Sequence, residues 1–96
     1  MPAAIDIGTL IVRSPDVRGG RPRLDGTGVT VQRIVSWYKS GLSPEEIQRE
    51  IRHLSLAQVY AALTYYHANH DEIEASLARD EAEADRLQAK HTSSTL

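Results

Sequence analysis

The sequence contains no cysteine and no phenylalanine, and it has a single tryptophan and a single methionine among its 96 residues. Without cysteine the chain can form no disulfide, no thiolate metal site and no cysteine nucleophile. No apolar run approaches the roughly 20 residues that a membrane-spanning helix needs, and the first residues lack the basic and apolar regions of a signal peptide. We therefore expect a cytoplasmic protein. Because Trp37 and four tyrosines supply all the aromatic volume, the core is small, and we expect a partner subunit to help stabilise it.

The charge is separated along the chain, although the composition is that of an ordinary single domain, with 41% hydrophobic residues, 25% charged residues and a net charge of −2. From Arg13 to Lys39 there are six basic and two acidic residues, whereas from Asp71 to Leu96 there are three basic and seven acidic residues. Such a separation indicates two surfaces with different partners. Two solvated faces are the alternative interpretation.

The first quarter of the chain predicts a small β-hairpin. Residues Gly8 to Ser14 are rich in β-branched types and predict a short strand, and Gly19-Gly20 provides the turn that follows. Arg21 to Asp25 predicts a second strand, which Pro22 confines to an edge or a bulge. Because two strands alone are marginally stable, we expect them to be held against helices or paired with the same strands of another copy.

Three helices are predicted to follow the hairpin. The first runs from Thr30 to Ser40 and ends at Gly41, with an apolar stripe of Val31, Ile34, Val35 and Tyr38. The second runs from Pro44 to Ile51. The third begins after Ser55 and places Leu56, Val59, Tyr60 and Leu63 on one face. These stripes predict a trihelical core.

Two capping boxes fix the starts of the second and third helices. Ser43 is followed three residues later by Glu46, and Ser55 is followed at the same spacing by Gln58, so each serine and its partner can satisfy two helix-end amides. A short helix, a three-residue turn and a longer helix predict a helix-turn-helix, a motif that docks DNA more often than it carries out chemistry.

No break is predicted after Leu63, so the third helix is expected to continue directly into an acidic helix that ends near Lys90. We expect a mainly α protein: a short N-terminal β-hairpin, then a trihelical homeodomain-like helix-turn-helix, then a long C-terminal helix. Residues 1–70 form the predicted head and residues 71–96 a predicted acidic, partner-binding tail.

The start of the third helix is the predicted contact with DNA bases, because this part of a docked helix-turn-helix meets base edges. The predicted base contacts are Ser55 and Gln58, and Gln58 is suited to adenine. The predicted phosphate contacts are Arg21, Arg23, Arg33, Lys39, Arg49 and Arg52. The alternative is a trihelical fold whose alanine-rich third-helix face packs on another subunit.

No catalytic residue, cofactor or metal site is predicted. His67, His70 and Glu74 share one helical face, but no further ligand elsewhere in the sequence supports a metal ion, and a polar helix surface is the better interpretation. No nucleophile–base pair and no phosphate-binding loop is evident. We therefore do not expect an enzyme.

Four runs of residues resemble, in order, the linked motifs of one known family. They are GGRP at 19–22 with DGTGVTV at 25–31, GLSPEEI at 41–47, HLSLAQVYAAL at 53–63 with Tyr65-Tyr66, and HDEI at 70–73. The family is that of the domain of unknown function 433, small bacterial and archaeal winged or homeodomain-like proteins, and the resemblance spans Leu10 to Ile73. Gly28 departs from it where arginine is usual, and Arg52 departs from it where proline commonly precedes the His-Leu pair.

The resemblance implies a VapB-like antitoxin of a toxin–antitoxin pair. Such a protein has a dimeric DNA-binding head that represses its own operon and a C-terminal segment that silences a PIN-like ribonuclease toxin. On this interpretation the toxin-binding residues are Ile73, Leu77, Arg79, Arg86 and Leu87, and we expect a homodimer or a higher even oligomer. The alternatives are a stand-alone DNA-binding regulator and a non-DNA oligomeric interaction module.

Overall fold

A short antiparallel hairpin followed by four helices makes up the fold, as the sequence predicted. The structure is a computed structural model that describes residues 4–94, with side chains for residues 4–90; the last two residues of the predicted tail therefore lie outside it. The order of elements is a 3-10 helix (Ile7–Leu10), β1 (Ile11–Val12), a second 3-10 helix (Arg18–Gly20), β2 (Arg23–Leu24), α1 (Val31–Lys39), α2 (Pro44–Glu50), α3 (Leu56–Ala68) and α4 (His70–Ser94). None of these helices combines the length and the apolar character that crossing a bilayer requires.

The hairpin is shorter than the sequence predicted. β1 pairs with β2 so that Ile11 lies opposite Leu24 and Val12 opposite Arg23. The predicted strand from Gly8 was wrong at its start, because the Asp6 carboxylate accepts the Gly8 N–H at 2.9 Å and caps a 3-10 helix instead. Leu24 is fully buried and anchors the hairpin to the helices.

The starts of the helices agree with the sequence. Thr30 caps α1, and both predicted capping boxes are present at α2 and α3. Gly41 ends the first helical segment with a φ of 105°, a backbone conformation that favours glycine. These local signals therefore determine where the helix-turn-helix begins and where its elements are separated.

The buried face of α3 differs from the predicted one. Val59, Ala62, Leu63 and Tyr66 are buried, whereas Leu56 and Tyr60 of the predicted stripe are exposed, at 39% and 47%. Val59, Ala62, Leu63 and Tyr66 are separated by three, one and three residues, a spacing that also places side chains on one face of a helix. The sequence therefore allows either face of α3 to be buried, and packing against α1 buries this one. The buried face of α1 also differs from the predicted stripe, because Gln32 is buried and Tyr38 lies on the surface.

The prediction that α3 continues directly into the tail was wrong. Asn69 interrupts the helix with a φ of −130° and a ψ of 44°, and its N–H donates to the Tyr65 carbonyl at 2.9 Å. α4 then packs against α1 and α3, where Ile73 is fully buried. The first turns of α4 are consequently part of the core.

Beyond these turns α4 keeps an ion pair between Asp80 and Arg21 of the head and then leaves the rest of the fold. Leu77 still packs against the core, but every side chain from Ala78 to Lys90 is exposed. The chain measures 65 × 29 × 23 Å along its principal axes. An exposed helical arm thus extends from a small helical head.

Candidate nucleic-acid interface and partner-binding helix

The predicted base contacts, Ser55 and Gln58, also stabilise the turn between α2 and α3. The Ser55 hydroxyl accepts the Gln58 N–H at 3.1 Å, and the Gln58 Oε1 accepts the Ser55 N–H at 2.7 Å. In the same turn the Gln48 amide donates to the Leu54 carbonyl at 3.1 Å. Ser55 and Gln58 therefore have a structural role at the helix start, and the Gln58 Nε2 makes no further hydrogen bond to the described residues.

The exposed side of α3 near its start carries little charge. Ser55, Leu56 and Ala57 are exposed, and one turn further the Tyr60 hydroxyl donates to the Glu45 carboxylate at 3.0 Å. This hydrogen bond raises the pKa of Tyr60. A surface suited to a DNA groove here depends on cations that other elements supply.

Three basic side chains of the N-terminal half form ion pairs with α4. Arg21 makes a two-pronged contact with Asp80, at 2.9 and 2.6 Å. Lys39 contacts both oxygens of Glu74, at 2.7 and 2.9 Å, and Arg13 contacts Glu72 and the Tyr65 hydroxyl.

The electrostatic effect is mutual at the Arg21 pair. The hydrogen bond from Arg21 lowers the pKa of Asp80, and the same contact raises the pKa of Arg21. The basic front and the acidic tail that the sequence separates therefore contact each other in the fold. Two of the predicted phosphate contacts, Arg21 and Lys39, are already engaged in this way.

The other predicted phosphate contacts divide into one structural residue and three surface residues. Arg23 braces the hairpin by donating to the Thr27 carbonyl at 3.1 Å and to the Ser14 hydroxyl at 3.2 Å. Arg33 lies over the Trp37 ring at 5.2 Å, and Arg49 and Arg52 are exposed. Within the described residues, none of these last three arginines forms an ion pair with a carboxylate.

Sequence reasoning missed Arg18 as a candidate site residue. Its backbone has a φ of 51°, and its Nε donates to the Gly28 carbonyl at 3.0 Å. A Cβ at position 28 would lie 2.9 Å from Arg18 Nη2, so glycine leaves room for this guanidinium. Together with Arg21, Thr30 and Arg33 it lines a surface depression of about 320 Å³. The departure at Gly28 was the signal in the sequence that could have drawn attention to this space.

The predicted toxin-binding residues occupy two different environments. Ile73 is fully buried and Leu77 packs against the core, so both already serve the head. Leu87 is 54% exposed, and Arg79 is exposed as well. Arg86 contacts Glu83 one turn earlier, at 2.5 Å. The members of this set on the exposed surface of α4 are Arg79, Arg86 and Leu87.

Glu74 is the centre of a small polar cluster where α4 meets α1 and α3. Its carboxylate accepts hydrogen bonds from Lys39 and from the Tyr66 hydroxyl, and His70 Nε2 lies 3.8 Å away. The hydrogen bond to Glu74 raises the pKa of Tyr66 to about 12. No group of three His, Cys, Asp or Glu side chains among the described residues is placed to hold a metal ion. This cluster connects helices.

The fold is a helix-turn-helix domain of three helices, preceded by a β-hairpin and followed by a fourth helix that packs against α1 and α3. Residues 11–66 match the family described as Protein of unknown function (DUF433), and the chain belongs to that family. It is similar to the crystal structure, at 2.00 Å resolution, of a DUF433 member protein from Anabaena variabilis, with 27% identity and a TM-score of 0.69 over 73% of this chain and 69% of that chain. No curated protein matches the sequence significantly.

Proposed function

We propose that the protein is a VapB-like antitoxin whose helix-turn-helix binds the operator of its own operon and whose α4 binds and neutralises a PIN-like ribonuclease. The observation that carries this proposal is the form of α4. Its first turns are anchored by Ile73, whereas its side chains from Ala78 to Lys90 are all exposed. A helical arm with so little tertiary packing is typical of a segment that gains its stability from a partner.

The start of α3 supports the DNA-binding half of the proposal. Its exposed residues follow a capped helix start, which is the part of a helix-turn-helix that meets base edges. Arg49 and Arg52 lie at the end of α2 and in the following turn, and they form no ion pair with a described carboxylate. They remain for contacts with DNA phosphates, and the Gln58 amide remains for a base.

The exposed residues of α4 support the toxin-binding half. Leu87 is an apolar anchor of the kind that an amphipathic helix lays into a groove. Arg79 and Arg86 provide positive charge beside it, and the active site of a metal-dependent ribonuclease is acidic. We expect one of these arginines to compete with the catalytic cation, so changing both should abolish inhibition of RNA cleavage while partner binding weakens less.

Operator binding is tested with DNA from upstream of the protein's own gene, over a series of salt concentrations. Gln58→Glu keeps the capping box, because glutamate accepts the Ser55 N–H equally well, but it replaces the amide donor with a negative charge that the DNA phosphates also repel. We expect it to weaken binding about tenfold or more. Arg52→Ala should reduce the salt slope by about 1. As a control, Lys90→Ala on the distal arm should change neither quantity.

Toxin binding is tested by capture of partners with the full chain and with a chain cut after Glu81, from cells that contain the protein. A captured protein must cleave a model RNA after release, and the full chain must inhibit that cleavage when added back. The truncated chain should retain the folded head and lose both capture and inhibition. Inhibition of equal strength by the truncated chain contradicts the role proposed for the arm.

A second candidate function is a non-DNA interaction module, and the three ion pairs of α4 favour it. They engage Arg13, Arg21 and Lys39, which leaves fewer cations for phosphate than the sequence offers. Binding through several phosphates weakens steeply with salt. A protein with no affinity for DNA even at low salt fits only the module, whereas DNA binding without a ribonuclease partner fits a stand-alone regulator.

A further inference from the structure

Three arginines line one surface depression beside the start of α1. Its lining consists of Arg18, Arg21, Gly28, Thr30 and Arg33, and its volume is about 320 Å³. No described carboxylate belongs to this lining. Because like charges repel, gathering three guanidinium groups around one recess costs free energy unless an anion compensates them. This arginine depression therefore has the composition of an anion-binding site.

The charge of the arginine depression favours one kind of anion. Arg21 is paired with Asp80 at 2.6 Å, whereas Arg18 and Arg33 form no ion pair within residues 4–94. Two positive charges are therefore not compensated. A phosphate monoester carries about 1.5 to 2 negative charges at pH 7 and presents three strong acceptor oxygens, whereas each phosphodiester of a nucleic-acid backbone carries one charge. The monoester, or free phosphate, matches the two charges better.

Arg18 is held in place with its terminal amino groups unused. Its Nε donates to the Gly28 carbonyl at 3.0 Å, and neither Nη1 nor Nη2 forms a hydrogen bond to a described residue. A Cβ at position 28 would lie 2.9 Å from Nη2, so the guanidinium occupies space that glycine leaves open. A fixed guanidinium with two free amino groups is suited to the oxygens of a phosphate.

A second cavity continues from the arginine depression and differs from it in charge. Its volume is about 550 Å³, and it shares Arg21, Thr30 and Arg33 with the depression. Asp80 and Glu81 also line this cavity. Their carboxylates repel a phosphate but accept hydrogen bonds from hydroxyl or amino groups. The phosphate is therefore expected in the arginine depression, and the cavity leaves room for a polar organic group attached to it.

We infer that the arginine depression binds a dianionic phosphate, either free or as the terminal group of a small phosphomonoester. Arg18 and Arg33 contact the phosphate oxygens, and Arg21 is shared between the phosphate and Asp80. The operator proposal uses α2, the following turn and the start of α3. The inference therefore goes beyond that proposal and stands whether or not the protein binds DNA.

Titration of the full chain with inorganic phosphate tests the inference directly. Amide resonances are followed by nuclear magnetic resonance, with sodium chloride keeping the ionic strength constant. The signals of Gly28 and Thr30 should shift and saturate with a dissociation constant of about 1 mM or below. Arg18→Ala should weaken binding about tenfold or more, because it removes charge-assisted hydrogen bonds. Lys90→Ala is the control: it removes one positive charge from the distal arm and should leave the affinity unchanged.

Two further variants separate a formed site from general attraction to positive charge. Gly28→Ala keeps every charge but places a Cβ against the Arg18 guanidinium, so it should weaken phosphate binding. Asp80→Asn releases Arg21 from its ion pair and should tighten binding about two- to fivefold, the range that an exposed ion pair allows. Phosphate binding that neither Arg18→Ala nor Gly28→Ala weakens overturns the inference.

The source of the phosphate is distinguished with adenosine 5′-monophosphate and adenosine 3′,5′-cyclic monophosphate. The first is a monoester and the second a diester of the same nucleoside, and the monoester should bind more tightly. Tighter binding of the monoester than of inorganic phosphate identifies a phosphomonoester as the ligand, whereas equal affinity identifies phosphate itself. A cyclic diester that binds as tightly as the monoester contradicts the inference, as does the absence of saturation by both inorganic phosphate and the monoester.

Discussion

The ammonium group of Lys39 lies 2.7 Å from one oxygen of Glu74 and 2.9 Å from the other, which joins the end of α1 to the first turns of α4. The same carboxylate accepts a hydrogen bond from the Tyr66 hydroxyl of α3. One acidic side chain thus connects three helices. The acidic segment that the sequence presents as a separate tail begins as part of the head, and its contacts with the head extend to Asp80, which pairs with Arg21.

Glu74 should make the stability of the protein depend on acid pH. Hydrogen bonds from Lys39 and then Tyr66 hold its pKa below the ordinary value of 4.5. A carboxylate whose pKa is lower in the folded state stabilises the fold above its unfolded pKa, and this contribution is lost as the pH falls through the folded value. Chemical unfolding should therefore show Glu74→Gln to be less stable than the original chain at pH 7, with a difference that shrinks below pH 4.5. Glu83→Gln, on the exposed arm, should show no such convergence.

Tyr66 reports on the same contact at alkaline pH. Its hydrogen bond to Glu74 raises its pKa to about 12, from an ordinary value of 10. Spectrophotometric titration of tyrosinate should resolve one tyrosine that ionises about two pH units late, and Glu74→Gln should return it towards 10. Tyr66→Phe identifies the signal, because it should remove the late transition alone. A late transition that persists in Tyr66→Phe would assign it to another tyrosine.

The local features of the fold were predictable because their partners lie close together in sequence. Ser43 and Glu46, and likewise Ser55 and Gln58, are three residues apart, so the residue types and their spacing contain the whole interaction. Gly41 similarly shows its role by its position after an apolar stripe. The helix-turn-helix was therefore visible before any tertiary contact was known.

The docking of α4 was not predictable in this way, because it depends on contacts between distant residues. Lys39 and Glu74 are 35 residues apart in sequence, and Arg21 and Asp80 are 59 apart. The separation of charge was evident, but nothing local shows that the two halves neutralise each other. Asparagine is also only a weak helix-breaking residue, so Asn69 alone does not predict the interruption. The interruption allows α4 to turn back onto the head and bury Ile73.

A buried polar pair between α1 and α4 should be sensitive to loss of one partner. The Gln32 amide donates to the Ser76 hydroxyl at 3.2 Å, and both side chains are about 96% buried, at 4% exposure each. Gln32 Oε1 already has no partner within the described structure. Ser76→Ala should leave the whole amide unsatisfied and lower the free energy of unfolding by about 1–3 kcal/mol.

The double change distinguishes this cause from a simple loss of packing. Gln32→Leu combined with Ser76→Ala replaces both polar groups with apolar ones, which is close to neutral when the shapes fit. Denaturant unfolding of the two single variants and the double variant should therefore show strong non-additivity, with the double variant more stable than Ser76→Ala. Additive losses would mean that the hydrogen bond contributes little.

Two glycines should respond differently to the same substitution. Gly41 has a φ of 105°, where a Cβ is strained whatever the space around it, and nothing lies within 4 Å. Gly41→Ala should therefore lower the free energy of unfolding by about 1 kcal/mol or more, which corresponds to a fall of about 4–8 °C in the thermal midpoint for a domain of this size.

At Gly28 the close neighbour is the flexible end of Arg18, which can move aside. Gly28→Ala should change stability by less than about 0.5 kcal/mol. A larger loss would show that the position of the Arg18 guanidinium beside Gly28 contributes to the stability of the fold.

The point at which α4 is cut should decide whether the head still folds. A chain ending at His70 lacks Ile73 and Ser76, which are both buried, and the three carboxylates that pair with the head. Removing one buried isoleucine side chain alone costs about 2–5 kcal/mol, a large part of the stability of a domain with so small a core. We expect this chain to lose its cooperative thermal transition, and a chain ending at Glu81 to keep it with a midpoint close to that of the full protein. Circular dichroism on heating measures both. Cooperative melting of the chain cut at His70 would mean that the three-helix head is sufficient, and that the first turns of α4 are available to a partner after all.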